Sequence, residues 1–166
     1  LIRRQRQMCI RDRALTFSRK AAKEILTRSL TTDNVHVSTI HSLAYKIVKE
    51  NKKIPLIDDE YTFDHLMLDA VELADQYVGR WERIYVDEAQ DIDRVQLEFL
   101  LRLGAGSRLI FVGDMDQTIY SWRGSLDNLF NILQPDEVKH LNKTYRLPSN
   151  IYEFAWNVIS VLPYKY

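Results

Sequence analysis

Apolar positions along the chain follow two alternating rhythms. Residues 14–17 form a short apolar run that reads as a buried strand. From Ser18 the rhythm turns helical, with Ala21, Ala22, Ile25 and Leu26 on one face. Residues 35–37 repeat the strand signal. Leu43, Ala44, Ile47 and Val48 repeat the helical one before the polar run 49–53, and Pro55 breaks the chain. Phe63, Leu66, Met67, Ala70, Val71, Leu73, Ala74 and Tyr77 predict an amphipathic helix ending near Gly79. Residues 84–86 read as a strand that ends in acids. Asp93 and Gln96 have the spacing of a capping box for a helix over 95–103, with Gly104 as its stop. Residues 109–112 are the most convincing buried strand, and Gly113 follows at once. Ser125 is placed to cap a helix through Leu133, which Pro135 ends, and 138–141 is a weaker strand. Pro148 and Ser149 open a last helix, with Ile151, Phe154, Ala155, Val158, Ile159 and Leu162 facing inward. Strands alternating with helices imply an α/β fold with a parallel sheet flanked by helices, and ligands in such sheets sit at the carboxyl ends of the strands. No internal repeat is present.

Length and composition narrow the class. The 166 residues suit one domain with a real core, and 46% apolar content with only five Gly and four Pro excludes collagen-like and low-complexity chains. The longest apolar run, 109–112, is far too short to cross a bilayer, and no secretory signal follows the N-terminus. One cysteine, Cys9, excludes a disulfide framework and a Cys-built zinc site. These features lead to the expectation of a soluble, cytoplasmic protein. Net charge is zero but uneven: residues 1–30 carry nine Lys/Arg against two Asp/Glu. A basic arm ordinarily points to a polyanion. Here residues 8–13, MCIRDR, resemble a translated sequencing adaptor, so residues 1–13 are expected to be non-native; a genuine basic arm is the alternative.

Two segments carry candidate chemistry. Residues 85–91, YVDEAQD, place Asp87 and Glu88 directly after a buried strand. Carboxylates there can hold Mg²⁺ beside substrate phosphates and orient or deprotonate a water; a solvated pair of acids is the plainer reading. Residues 111–124, FVGDMDQTIYSWRG, leave a buried strand at a glycine and then offer Gln117, Tyr120, Trp122 and Arg123. Exposed rings beside an arginine make a stacking platform for unpaired bases, whereas the same rings in the core would be mere packing.

Together these segments resemble the UvrD/Rep-type superfamily 1 DNA helicases. Residues 87–91 match the family's DExQD Walker B motif, and 112–124 match motif III, VGDxxQxIYxxRG. Residues 16–22, TFSRKAA, are similar to motif Ia; 38–42, STIHS, to motif Ib; and 141–146, LNKTYR, to motif IV. The resemblance implies a RecA-like P-loop NTPase fold that uses ATP and Mg²⁺. It implies that Asp87 holds the metal and that Glu88 positions the attacking water. Gln117 would sense the γ-phosphate, Arg146 would reach it as an arginine finger does, and Tyr145 would stack on adenine. Phe17, Tyr120 and Trp122 would contact or stack single-stranded DNA, with Arg19, His41 and Arg123 beside its path. The partners implied are single-stranded DNA and single-strand/duplex junctions, the direction 3′ to 5′, and the processes DNA repair and replication.

The chain also departs from the family pattern. It contains no G-x-x-x-x-G-K-[ST] phosphate loop, and no glycine precedes Gly79. That loop is expected upstream of residue 1, and motifs V and VI beyond Tyr166. The expected organisation is an incomplete first motor domain over 14–147, with a minimal accessory insertion over about 50–80, and the start of a following segment over 148–166. Such a piece, lacking the rest of its own chain (the phosphate loop and the second motor domain), is expected not to hydrolyse ATP alone. Arg19 stands where motif Ia usually has Asn. The alternative function is a non-catalytic nucleic-acid-binding or regulatory module on a degenerate motor fold, and a plain structural α/β domain is the remaining one.

Overall fold

The computed structural model describes residues 12–28, 35–52, 61–118 and 129–161. Four parallel strands, β1 (Asp12–Thr16), β2 (Val35–Thr39), β3 (Arg83–Val86) and β4 (Arg108–Phe111), form one sheet in the order β2-β1-β3-β4. Each crossover is helical. α1 (Arg19–Arg28) links β1 to β2, α2 (Ile40–Asn51) and α3 (Phe63–Leu73) link β2 to β3, and α4 (Arg94–Leu103) links β3 to β4. This is a parallel α/β architecture, as the resemblance to RecA-like folds implies.

The helical spacings explain the core. Leu43, Ala44, Ile47 and Val48 are buried on α2; Leu66, Met67, Ala70 and Val71 on α3; Leu97, Phe99, Leu100 and Leu103 on α4. α3 packs between α2 and α4. The helix expected to run towards Gly79 stops at Leu73 and tightens into a 3₁₀ turn over Ala74–Tyr77, after which Gly79 takes a left-handed φ of 71°. The Asp93/Gln96 capping box is present: Gln96 N–H donates to Asp93 Oδ1 at 2.8 Å, and Asp93 N–H donates to Gln96 Oε1 at 3.4 Å.

Three expectations from the apolar rhythm are corrected. Residues 109–112 do supply a strand, β4, but not a buried one. β4 ends the strand order, Leu109 to Phe111 are only half-buried, and Val112 is exposed. A continuous apolar run has the same pattern whether its strand is central or at an edge. The inner positions belong to β1 and β3, and β1 begins at Asp12 and carries buried Arg13 between β2 and β3. Residues 138–141 form no strand, with Val138 and Leu141 exposed. On α1 only Ala22 is buried, and Leu26 is exposed.

The chain divides into two compact units, the first ending at Leu129 and the second starting at Phe130. The second holds most of α5 (Leu129–Leu133), then α6 (Ser149–Ile159) with Pro148 at its N-cap. No residue of α6 is buried. Ile151, Phe154 and Val158, expected to face inward, are exposed, and Tyr152 stacks on Trp156 at 6.3 Å. An amphipathic pattern records that a face can be covered; covering it takes a neighbouring element, and no described residue buries this one.

Candidate active site

The strand register places the candidate residues at one edge. Thr16 pairs with Thr39, Leu15 with Val86, and Val86 with Phe111. Phe17, His41, Asp87 and Gly113 therefore all follow the carboxyl ends of their strands. Ligands collect at this edge in parallel sheets because the strands end there and the following helices begin.

Asp87 is held by the sheet. Its N–H donates to Leu15 O at 2.8 Å, extending the β1–β3 ladder by one bond. Glu88 then turns the chain out of the sheet in a left-handed conformation, φ 53° and ψ 44°. Such a conformation costs a non-glycine residue about 1–2 kcal/mol. Behind the turn, Ala89 N–H donates to Val112 O at 2.9 Å, fastening the bend to the end of β4. Residues 87–91 are thus a built corner between β3 and α4.

Desolvation by burial pushes the Asp87 carboxyl above its ordinary value, the neighbouring Glu88 charge pushes it further, and a backbone hydrogen bond from Glu88 opposes both. Burial and Glu88 also raise Asp91. One oxygen of Asp91, Oδ1, is buried with no hydrogen-bond partner among the described residues. Carboxylates crowded in this way suit a divalent cation, whose charge reverses the penalty. The donor chemistry fits Mg²⁺ held by one or two carboxylates and completed by phosphates and water. No group of three or more His, Cys, Asp or Glu residues among those described forms an all-protein cage.

A run of side-chain and backbone hydrogen bonds joins the two motif segments. The buried Gln90 donates from Nε2 to Glu88 Oε2 at 2.7 Å and accepts at Oε1 from Asp114 N–H at 3.1 Å. Asp114 in turn accepts from Gln117 Nε2 at Oδ2 (2.7 Å) and from Asp116 N–H at Oδ1 (3.0 Å), which caps the short turn Met115–Gln117. The structure therefore brings Glu88 and Gln117 into one network. Gln90, Gly113 and Asp114 were not among the candidate residues. The sequence signal for them was a Gln between acids and a Gly directly after a strand.

On the β1–β2 side, Phe17 is half-exposed and leads into α1 through Ser18, whose Oγ accepts from Ala21 N–H at 3.1 Å. Arg19 opens α1 and is exposed. His41 sits in the first turn of α2, half-buried, with its ring edge-on to Phe63 at 5.6 Å. Burial lowers the His41 imidazole below its ordinary value, and Asp93 and Asp64 partly oppose this. Tyr120, Trp122 and Arg123 lie outside the described residues. Tyr145 and Arg146 belong to the second unit. There Tyr145 is exposed with Lys143 Nζ 5.0 Å from its ring centroid, and Arg146 N–H donates to Thr144 Oγ1 at 3.3 Å.

A parallel sheet flanked by helices, with paired carboxylates at its carboxyl edge, places the protein in the RecA-like α/β class. Residues 49–137 match the family model described as UvrD/REP helicase N-terminal domain, and the chain belongs to that family. It is 34% identical over 95 residues to DNA helicase II of Escherichia coli, an alignment covering 54% of this chain and 13% of that protein. It is 30% identical over 140 residues to ATP-dependent DNA helicase PcrA of Leuconostoc citreum, covering 77% of this chain and 18% of that protein. It is 35% identical over 107 residues to ATP-dependent DNA helicase srs2 of Schizosaccharomyces pombe, covering 59% and 12%. The chain thus spans less than one fifth of the length of these relatives. Among the described residues no helix is long and apolar enough to cross a membrane.

Proposed function

We propose that this chain is part of an ATP-dependent DNA helicase or translocase that couples ATP hydrolysis to 3′-to-5′ movement on single-stranded DNA and to unwinding at single-strand/duplex junctions. The observation that carries this reading is the hydrogen-bonded run Glu88–Gln90–Asp114–Gln117 at the carboxyl edge of the sheet. It ties a carboxylate suited to orienting water to a glutamine suited to contacting a phosphate, so a change at one is felt at the other.

Mg²⁺, when bound with ATP, supplies charge neutralisation at the phosphates. Asp87 is the residue to hold it. Glu88 orients and deprotonates the attacking water, and Gln117 contacts the terminal phosphate. Arg146 adds positive charge at that phosphate and Tyr145 stacks on the adenine. Phe17, Tyr120 and Trp122 grip bases by their faces. This suits movement along any sequence, because each base has a π-face and stacking contributes about 1–3 kcal/mol per base. Arg19, His41 and Arg123 flank the strand. Residues 14–147 form most of the first motor domain in this reading, and 148–166 begin the next segment.

The 166 residues contain no G-x-x-x-x-G-K-[ST] sequence to cradle the β- and γ-phosphates, so the chain by itself is expected not to turn over ATP. The test is Glu88→Gln in the full-length protein. DNA-stimulated turnover is lost while nucleotide binding remains; turnover at the wild-type rate would remove Glu88 from this role.

A further inference from the structure

We propose that Gln90 is a positioning residue for the hydrolytic step, holding the Glu88 carboxylate in its working orientation and transmitting displacement of the Gly113–Gln117 segment to it. The inference rests on the proposed ATPase reading and adds to it a residue outside the acid pair.

Glu88 is exposed and sits on a left-handed turn. An exposed carboxylate ordinarily samples several rotamers. Here its Oε2 accepts from a carboxamide that is only 2% exposed, which removes that freedom. The amide itself has nowhere to go. Its oxygen accepts from Asp114 N–H at 3.1 Å, and it lies against Gly113, where even a methyl group would come within 2.5 Å of it. The two ends of one rigid side chain therefore touch Glu88 and the first turn of the Gln117 segment. If that segment moves when Gln117 engages a phosphate, Asp114 moves with it, because Gln117 Nε2 donates to Asp114 Oδ2. Gln90 carries that movement to Glu88. Catalytic groups displaced by about 1 Å can lose a hundredfold in rate, so a small shift suffices as a switch.

The test uses two isosteric variants of the full-length protein, assayed for DNA-stimulated ATP turnover beside wild type. Gln90→Glu keeps an oxygen to accept from Asp114 N–H and replaces the amide donor to Glu88 with a carboxyl; burial and Glu88 both push such a carboxyl up, so this variant is assayed from pH 7 to pH 9, over which the proton, and with it the donor, is lost. Gln90→Met loses both bonds. The expected result in each is a kcat lowered about ten- to a hundredfold, with the KM for ATP and the affinity for a single-stranded oligonucleotide within about twofold of wild type. A role confined to supporting Asp114 predicts instead that Gln90→Glu turns over normally. Wild-type kcat in Gln90→Met, or in Gln90→Glu throughout that pH range, overturns the inference, as does loss of cooperative unfolding in both, which would assign Gln90 to the fold alone. Absence of DNA-stimulated turnover in the wild-type protein is a different failure, that of the parent ATPase reading.

Discussion

Gly113 lies so close to Gln90 that a Cβ on the glycine would sit 2.5 Å from Gln90 Oε1, 3.1 Å from Ala89 N and 3.2 Å from Gln90 N. Neither neighbour can retreat cheaply. The amide is tied at both ends, to Glu88 and to Asp114 N–H, and Ala89 N–H is bonded to Val112 O at 2.9 Å. Gly113→Ala is therefore expected to destabilise the fold by about 1–3 kcal/mol, the usual cost of overpacking a close site. Urea unfolding measures this directly, and an unchanged midpoint would mean that the corner is looser than described.

Arg13 has the opposite character, a charge where the fold wants none. It occupies the middle of the sheet, flanked by His36 on β2 and Ile84 on β3. Burial pushes its guanidinium down to about 10, so it stays charged at neutral pH. It donates to Ser38 Oγ at 2.8 Å and lies 5.9 Å from the Trp81 ring centroid, but its Nε is buried with no partner among the described residues. Removing the side chain strands nothing, since Ser38 Oγ also donates to Thr39 O. Arg13→Leu is expected to stabilise the protein by about 1–3 kcal/mol, as replacing a buried charge with a packed hydrophobe often does. A lower denaturation midpoint would show that the Trp81 and Ser38 contacts outweigh the desolvation. We propose that residues 1–13 are foreign to the natural chain even though Asp12 and Arg13 join the β1–β2 ladder. Long-read sequencing of the locus tests it, with an apolar residue expected at position 13 and an unbroken frame through MCIRDR counting against it.

Asp87 sets stability against function. Its folded-state value lies above the ordinary 3.8, first through burial and then through Glu88. An acid raised in this way favours the fold only when protonated. Its contribution is fully present below 3.8 and is lost as pH rises through the folded value. Asp87→Asn is expected to abolish turnover in the full-length protein and yet raise its melting temperature at pH 7. That gain should fade as pH falls towards 3.8, where the wild-type carboxyl is also neutral. Thermal melts of both proteins from pH 7 to pH 3.5 would settle it; a variant less stable than wild type at neutral pH would show the carboxylate to be favourably held.

Much of this corner is legible in the sequence. The strand before Asp87, the glycine after β4 and the Asp93/Gln96 box are local signals, and local signals survive folding. The spacing of Leu43, Ala44, Ile47 and Val48 located a buried face correctly because α3 is there to cover it. The same logic failed for α6 and for 138–141, where the apolar residues have no covering element among those described. It failed for β4 as well, since strand order is set by crossovers and cannot be read from the strand's own composition. The role of Gln90 is hidden in the sequence for a related reason. A glutamine beside three carboxylates looks solvated in sequence, and only the approach of Gly113 and Asp114 from 23 and 24 residues further along the chain makes it a buried link.

His41 and Asp93 offer a case where charge and hydrogen bonding at one residue can be separated. Burial lowers the His41 imidazole, and the Asp93 charge is the larger of the two carboxylate influences opposing this, ahead of Asp64. Asp93 also caps α4 through Gln96 N–H at 2.8 Å. Asparagine caps helices about as well as aspartate, whereas alanine costs about 0.5–2 kcal/mol. Asp93→Asn should therefore leave stability above the His41 titration nearly unchanged while moving that titration further below 6.5. Asp93→Ala should do both, lowering stability and shifting the imidazole. The sign for stability follows from the depressed base: its neutral form is favoured in the fold, so stability falls as pH drops below 6.5, and it falls further once Asp93 no longer offsets the protonated ring. Proton NMR of the His41 ring across pH 4.5–8, with urea melts at both ends, reads the two effects independently. A His41 titration that ignores Asp93→Asn would mean the ring is turned away from α4, and with it from the strand path assigned to its side of the sheet.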